Sequence, residues 1–206
     1  MRILASCILV IGLNFTSCNQ GKQPSYIDGS SQSNDEQQIL DLVKKVLEWG
    51  DSKNSVDLLP TLTDSIDSIY IGFDLEKLKQ NIIKLKNTNL FTDDFIENYN
   101  QIILTLDKGL RNGEYEQWLV GDLPTFIFAN DYSPWWDGQE SFPLEKGVIE
   151  RISSDDNNGE YYFKCGSCEG LEYYKMRFRV SKVSFQWKIS FLEGFEFKES
   201  TRKDGV

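Results

Sequence analysis

Cys165-Gly166-Ser167-Cys168 is the most compact set of reactive side chains in the sequence. Two thiols at that spacing can close a local disulfide, cycle as a redox dithiol, supply half of a tetrahedral thiolate shell, or stay reduced. A redox dithiol wants its first cysteine at a helix N-terminus, where the dipole lowers the thiolate pKa, whereas this motif joins YYF to LEYYKMRF, which is strand-like on both sides. A metal shell lacks its other half, because the chain has no histidine. In an oxidising compartment the expected state is a Cys165–Cys168 disulfide, with Gly166 letting the short loop close.

The missing histidine also excludes imidazole bases and histidine-type triads. Acid–base work then falls to Asp, Glu, Tyr, Lys or Cys, and neither a catalytic set nor a metal or cofactor is assigned. Asp122 and Asp131 flank LPTFIFAN, Tyr132 follows, and Asp137 comes directly after Trp135-Trp136. A carboxyl partly buried among such rings has its pKa raised toward a useful range. The competing role is turn and cap chemistry, which Asp beside Pro and Gly commonly performs. If the chain is extended, adjacent Trp135 and Trp136 point opposite ways, so that one can enter the core while the other meets a ligand or partner; core or lid packing is the competing role. Tyr161, Tyr162, Tyr173 and Tyr174 with Lys175, Arg177 and Arg179 form either a basic aromatic patch for an anion or an ordinary solvated sheet face. The candidate ligand or partner contacts are therefore Asp122, Asp131, Tyr132, Trp135, Trp136, Tyr173, Arg177 and Arg179. Asp155-Asp156 lies in a turn-like segment without the EF-hand pattern.

The N-terminal cysteine belongs to a different chemistry. Arg2 precedes ILASCILVIGLNF, too short for a finished bilayer span and suited to the apolar part of a signal segment. Phe15-Thr16-Ser17-Cys18 then resembles a bacterial lipobox, with Phe where Leu is usual. The resemblance implies that residues 1–17 are removed and that Cys18 carries diacylglycerol and usually an acylated amino group. One acyl chain holds weakly and several hold firmly. Residues 18–34 are the lipidated cysteine and a polar tether, 35–198 one domain, and 199–206 a polar tail. The expected location is the bacterial envelope, lipid-anchored, facing periplasm or surface. A net charge of -10 makes the chain a poor grasp for nucleic acid. The expected partners are the membrane, through the lipid, and a small ligand or an envelope protein.

Helices come first. Ser33 and Glu36 have capping-box spacing, followed by Ile39, Leu42, Val43, Val46 and Leu47 until Gly50. Asp74 is placed to cap a second helix with Leu75, Leu78, Ile82 and Leu85, and Thr92 a third with Phe95, Tyr99, Ile102, Ile103, Leu106 and Leu110. Strands come last: a short one at Thr125–Phe128, then Gly147–Ile152, a turn at Asn158-Gly159, Tyr161–Cys165 and Tyr173–Val180. In the final strand Phe185, Trp187, Ile189 and Phe191 alternate with Gln186, Lys188 and Ser190. Phe178, Trp187 and Ile189 are expected against the stripe containing Tyr99, Ile102 and Leu106, with Arg177, Arg179 and Lys188 on the other face.

This α+β order resembles the NTF2-like cone, N-terminal helices packed on a curved C-terminal antiparallel sheet. Over residues 36–197 it is similar to the DUF3828-like family of exported bacterial proteins. The carriers are LFTDDFIENYNQIILTLD (90–107), NDYSPWW (130–136) and YYKMRFRVSKVSFQWKISFLEGF (173–195). The resemblance implies a pocket on the concave side of the sheet and no travelling catalytic motif. Such a fold hosts binders and enzymes alike. The expected function is a noncatalytic envelope module for a small ligand or protein. An Asp/Tyr acid–base enzyme and an envelope interaction or inhibitor protein are the alternatives. A filled sheet concavity with exposed apolar surface would favour protein interaction.

Overall fold

Ile39, Leu42, Val43, Val46 and Leu47 recur at helical spacing and form the buried side of α1 (Asn34–Gly50). The structure, a computed structural model, describes residues 34–203 apart from Ser65, Asp67, Glu140 and Glu172. The signal segment, Cys18, the tether to Ser33 and the last residues of the tail lie outside the described residues. α1 stops where Gly50 meets the Trp135 indole, since a Cβ there would stand 2.6 Å from Trp135 Cγ.

α2 (Leu75–Thr88) and α3 (Asp93–Arg111) begin at the predicted caps. The Asp74 carboxylate accepts from the Glu76 and Lys77 amides, and the Thr92 hydroxyl accepts from the Phe95 amide. Each such cap contributes about 1 kcal/mol. Asp93 and Asp94 occupy the first turn of α3, where its dipole favours negative charge. The four residues between α2 and α3 make them an αα-hairpin.

Among the described residues the architecture is α+β, with helices and two antiparallel sheets. The smaller sheet is a hairpin without a clear apolar alternation, β1 (Thr61–Asp64) paired with β2 (Ile69–Phe73). The larger is a meander, β3 (Gly147–Ser154), β4 (Asn158–Cys165), β5 (Met176–Val183) and β6 (Gln186–Leu192), in spatial order β3-β4-β5-β6. The turn expected at Asn158-Gly159 falls slightly earlier, because the Asp155 carboxylate accepts from the Asn157 and Asn158 amides and closes it there. No strand forms at Thr125–Phe128; Phe126 makes a single bridge to Lys203. The tail is also built in through Lys203: Phe128 N–H donates to Ser200 O, Ile127 N–H to Arg202 O, and short α4 (Phe197–Ser200) buries Ser200.

Phe178 and Ile189 are fully buried and Trp187 nearly so, with α1 and α3 both lying against β6, as the alternation predicts. The parity fails at two places. Val180 pairs with Ile189 but Arg179 pairs with Phe191, so Ser190 is an extra residue. That bulge turns Phe191 outward and Leu192 into the core. Phe185 is not in the strand at all and stands 95% exposed in the turn. The described edge of β6 is covered by the segment between α2 and α3, where Ile189 N–H donates to Leu90 O and Thr92 N–H donates to Ile189 O.

Candidate functional site

Cys165 and Cys168 are joined by a disulfide at the end of β4, as expected, and the Gly166 amide donates to Lys146 O beside it. The remaining sequence candidates do not converge. Asp122 is exposed, and its carbonyl accepts from Trp118 Nε1 at 3.0 Å. Asp131 is exposed at φ 57°, with Gln139 Nε2 donating to its carboxylate.

Trp135 and Trp136 are both buried, which is the core-packing role and corrects the placing of either as a ligand or partner contact. The chain is doubled back here rather than extended, with Ser133 N–H donating to Gly138 O and Trp136 N–H to Ser133 O. Trp135 packs among Trp49, Phe91 and Phe195, while Trp136 packs on Phe142 and Phe163 and donates through Nε1 to Asp51 at 2.7 Å.

The tyrosines and basic residues also divide. Tyr161 stacks on Phe178 inside, and Tyr174 packs on Phe142 and donates to Trp136 O. Tyr173 is 95% exposed ahead of β5, which starts only at Met176. Outside the sheet, Arg177 and Arg179 lie over the Phe191 ring and share Glu160, at 3.6 and 3.0 Å. Arg177 also donates its backbone N–H to Glu193 Oε2 at 2.8 Å. Lys164 and Lys175 share Glu150. This face carries its own counter-charges, which is the solvated-face reading rather than an anion site.

One carboxyl has an unusual setting that its sequence neighbours do not reveal. Burial holds the Asp137 pKa above the ordinary carboxylate value, and Glu193 and Glu199 add to the effect. Burial likewise pushes Tyr132 up to about 12, with Asp137 and Glu199 contributing. Such a carboxyl can hold a proton, but its charged surroundings are acids. A raised folded-state pKa means that stability is lost as pH rises from the ordinary carboxylate range through the raised value. Asp137→Asn is therefore expected to raise the melting temperature at pH 7, with the gain shrinking toward acid pH. Asparagine also tolerates the φ of 50° at this position. Thermal melts across pH check this, and a gain independent of pH would refute it.

A cluster of rings gathers around Phe195, just after β6. Phe95, Tyr99, Phe128, Trp135 and Phe195 meet with centroids 4.8–6.5 Å apart. An open groove of about 730 Å³ runs along the α2–α3 hairpin. Its apolar lining is Leu75, Leu78, Ile82, Ile83, Ile96 and Leu104. α2 inverts the usual burial order: Asn81 is buried, donating to Asp57 O at 2.6 Å and to Tyr99 Oη at 3.3 Å, while Ile83 is 58% exposed. That anchoring polar residue fixes the roll of α2 and leaves Leu75 and Ile83 in solvent, facing Leu104 of α3, also exposed. One wall carries Lys79 and Lys86, the other Asp93, Asp94 and Glu97. Among the described residues no group of three or more His, Cys, Asp or Glu could hold a metal ion.

No family model matches the chain, and no curated protein does. The chain is similar to a solved protein of unknown function from Bacteroides thetaiotaomicron VPI-5482, at 16% identity, over 78% of this chain and 92% of that one, with a TM-score of 0.34.

Proposed function

We propose that this chain is an envelope lipoprotein, acylated at Cys18, whose NTF2-like, DUF3828-like domain is a noncatalytic interaction module. Its occupant is an amphipathic helical segment of another envelope protein, received in the α2–α3 groove. The observation that carries this reading is the outward apolar groove holding exposed Ile83, Leu75 and Leu104. A groove between two antiparallel helices is shaped for a third, whose apolar residues recur at i, i+3, i+4 and i+7. The unlike walls supply the polarity, since an acidic flank suits Lys86, beside the Lys79–Glu76 pair, and a basic flank suits Asp93, Asp94 and Glu97.

The test places a benzophenone amino acid at position 83 in the full chain, in cells fed an alkynyl fatty acid. A polypeptide adduct is expected at position 83 and not at exposed Ile152 on β3. Mass spectrometry of the linked segment should show the helical apolar spacing. Leu104→Asp should cut the adduct roughly tenfold, the effect of about 1.4 kcal/mol. Equal adducts at 83 and 152, or no response to Leu104→Asp, refute the groove. Fatty-acid labelling that survives Cys18→Ser refutes the anchor.

A further inference from the structure

We propose that Ser184-Phe185, the tip of the β5–β6 hairpin, is a lipid-contact point that enters the headgroup region of a neutral, zwitterionic membrane. This rests on the reading of Cys18 as the acylated residue and adds which end of the domain meets the bilayer.

The first reason is strain without internal reward. Both residues of this two-residue turn have positive φ, 50° at Ser184 and 66° at Phe185, a conformation that hairpins usually give to Asn and Gly. A bulky side chain is disfavoured there, and the Phe185 ring, 95% exposed, recovers nothing by packing inside.

The second is that the hairpin beneath the ring is braced. Lys182 Nζ reaches Asp35 Oδ2 at 3.1 Å and lies 4.6 Å over the Trp187 ring. Asn89, which caps α2, donates to Gln186 Oε1 at 3.0 Å and accepts from Lys188 Nζ at 2.7 Å. Phe185 is thus presented from a fixed base, with Val183, 40% exposed, beside it.

The third is position. The Lys182–Asp35 contact puts the tip next to the start of α1, where the chain arriving from Cys18 enters the domain. The intervening stretch from Cys18 to Asn34 spans at most about 55 Å, so this end lies within reach of the membrane that holds the acyl chains.

Charge selects the lipid. Lys182 and Lys188 flank the tip, but Lys182 N–H donates to Asn157 O, so the turn bearing Asp155 and Asp156 lies alongside. With a net charge of -10, an anionic surface is disfavoured and a zwitterionic one is not. An aromatic ring flanked by lysine stems fits the boundary between headgroups and acyl chains. One ring binds weakly by itself; it orients a domain already held by its lipid.

The experiment reconstitutes the full chain in vesicles of phosphatidylethanolamine and phosphatidylcholine, with a benzophenone amino acid at position 185 or at Tyr173, equally exposed in the β4–β5 connection. Flotation reports anchoring, and intact mass reports lipid adducts. The expected result is a phospholipid adduct from position 185 several-fold above that from 173. A floating protein with equal adducts, or with none at 185, overturns the tip while leaving the anchor standing. A protein that does not float overturns both, and polypeptide adducts at 185 assign the tip to a protein partner instead.

Discussion

Replacing Phe195 with Ala is expected to lower the unfolding free energy by about 3–5 kcal/mol, the cost of lost transfer energy plus an unfilled cavity. Phe195 is 1% exposed and lies in the 3-10 turn after β6. Its ring stands 4.8 Å from Trp135, 5.0 Å from Phe95, 5.6 Å from Phe128 and 6.3 Å from Tyr99. Those partners come from α3 and from the irregular connection that follows it, so the ring packs that connection onto the helix. The site is also poorly able to collapse, because a Cβ on neighbouring Gly194 would already lie 2.2 Å from Pro134 O. Phe185→Ala is the control, and it should stay within about 0.5 kcal/mol. Chemical denaturation of both variants decides the matter; similar losses would mean that the ring cluster does not carry the core.

The readable parts of the sequence were those whose signal is local. α1 and α3 follow from apolar spacing, the starts of α2 and α3 from Asp74 and Thr92, and the meander from alternation. The unread parts depend on distant partners. β1 and β2 are short and include Gly72, and they become strands because α3 supplies a carboxylate to Phe73. The outward turn of Phe191 needs the Ser190 bulge, which alternation alone cannot mark. Trp136 is buried because Asp51, far away in sequence, accepts its indole N–H.

The candidate site was hidden for the same reason. The apolar spacing puts Leu75 in one stripe with Leu78, Ile82 and Leu85, but Leu75 is exposed because a polar residue, Asn81, takes an inward position on α2 by bonding to Asp57 and Tyr99. Asn81 buried beside Ile83 exposed is a local inconsistency visible in the sequence only once the roll of the helix is known. Asp137 stands beside its tryptophans in the sequence, yet what raises its pKa is burial, helped by Glu193 and Glu199 from the end of the chain.

Asp107 is where the β1–β2 hairpin and the groove are tied together, and Asp107→Ala is expected to cost about 2–3 kcal/mol. The residue is 8% exposed, and its Oδ1 accepts from Phe73 N–H at 2.7 Å. Arg111 Nε donates to both carboxylate oxygens, at 3.0 and 2.9 Å, and its Nη2 donates to Phe73 O at 3.4 Å. Gly72 makes room for this clamp, since a Cβ there would stand 2.6 Å from Asp107 Oδ1, and its φ of 143° suits glycine. Removing the carboxylate strands a buried amide donor, which costs about 1–3 kcal/mol, and leaves Arg111 without its partner. The ion pair adds little to that sum, because the Arg111 side chain is 45% exposed. Asp107→Asn keeps an acceptor for Phe73 N–H and should lose less than the alanine variant. Hydrogen exchange distinguishes this clamp from general core damage: in Asp107→Ala the Phe73 amide should lose protection beyond any global change, while amides in the middle of β5 follow global stability. Equal losses in the two variants, or a Phe73 amide that keeps its relative protection, would show that the hairpin is held by its other contacts, such as the Tyr70 N–H donated to Trp118 O. Because Asp74 and Leu75 follow Phe73 directly, a released hairpin frees the first turn of α2, so the same variant should weaken crosslinking from position 83 without touching a residue that lines the groove.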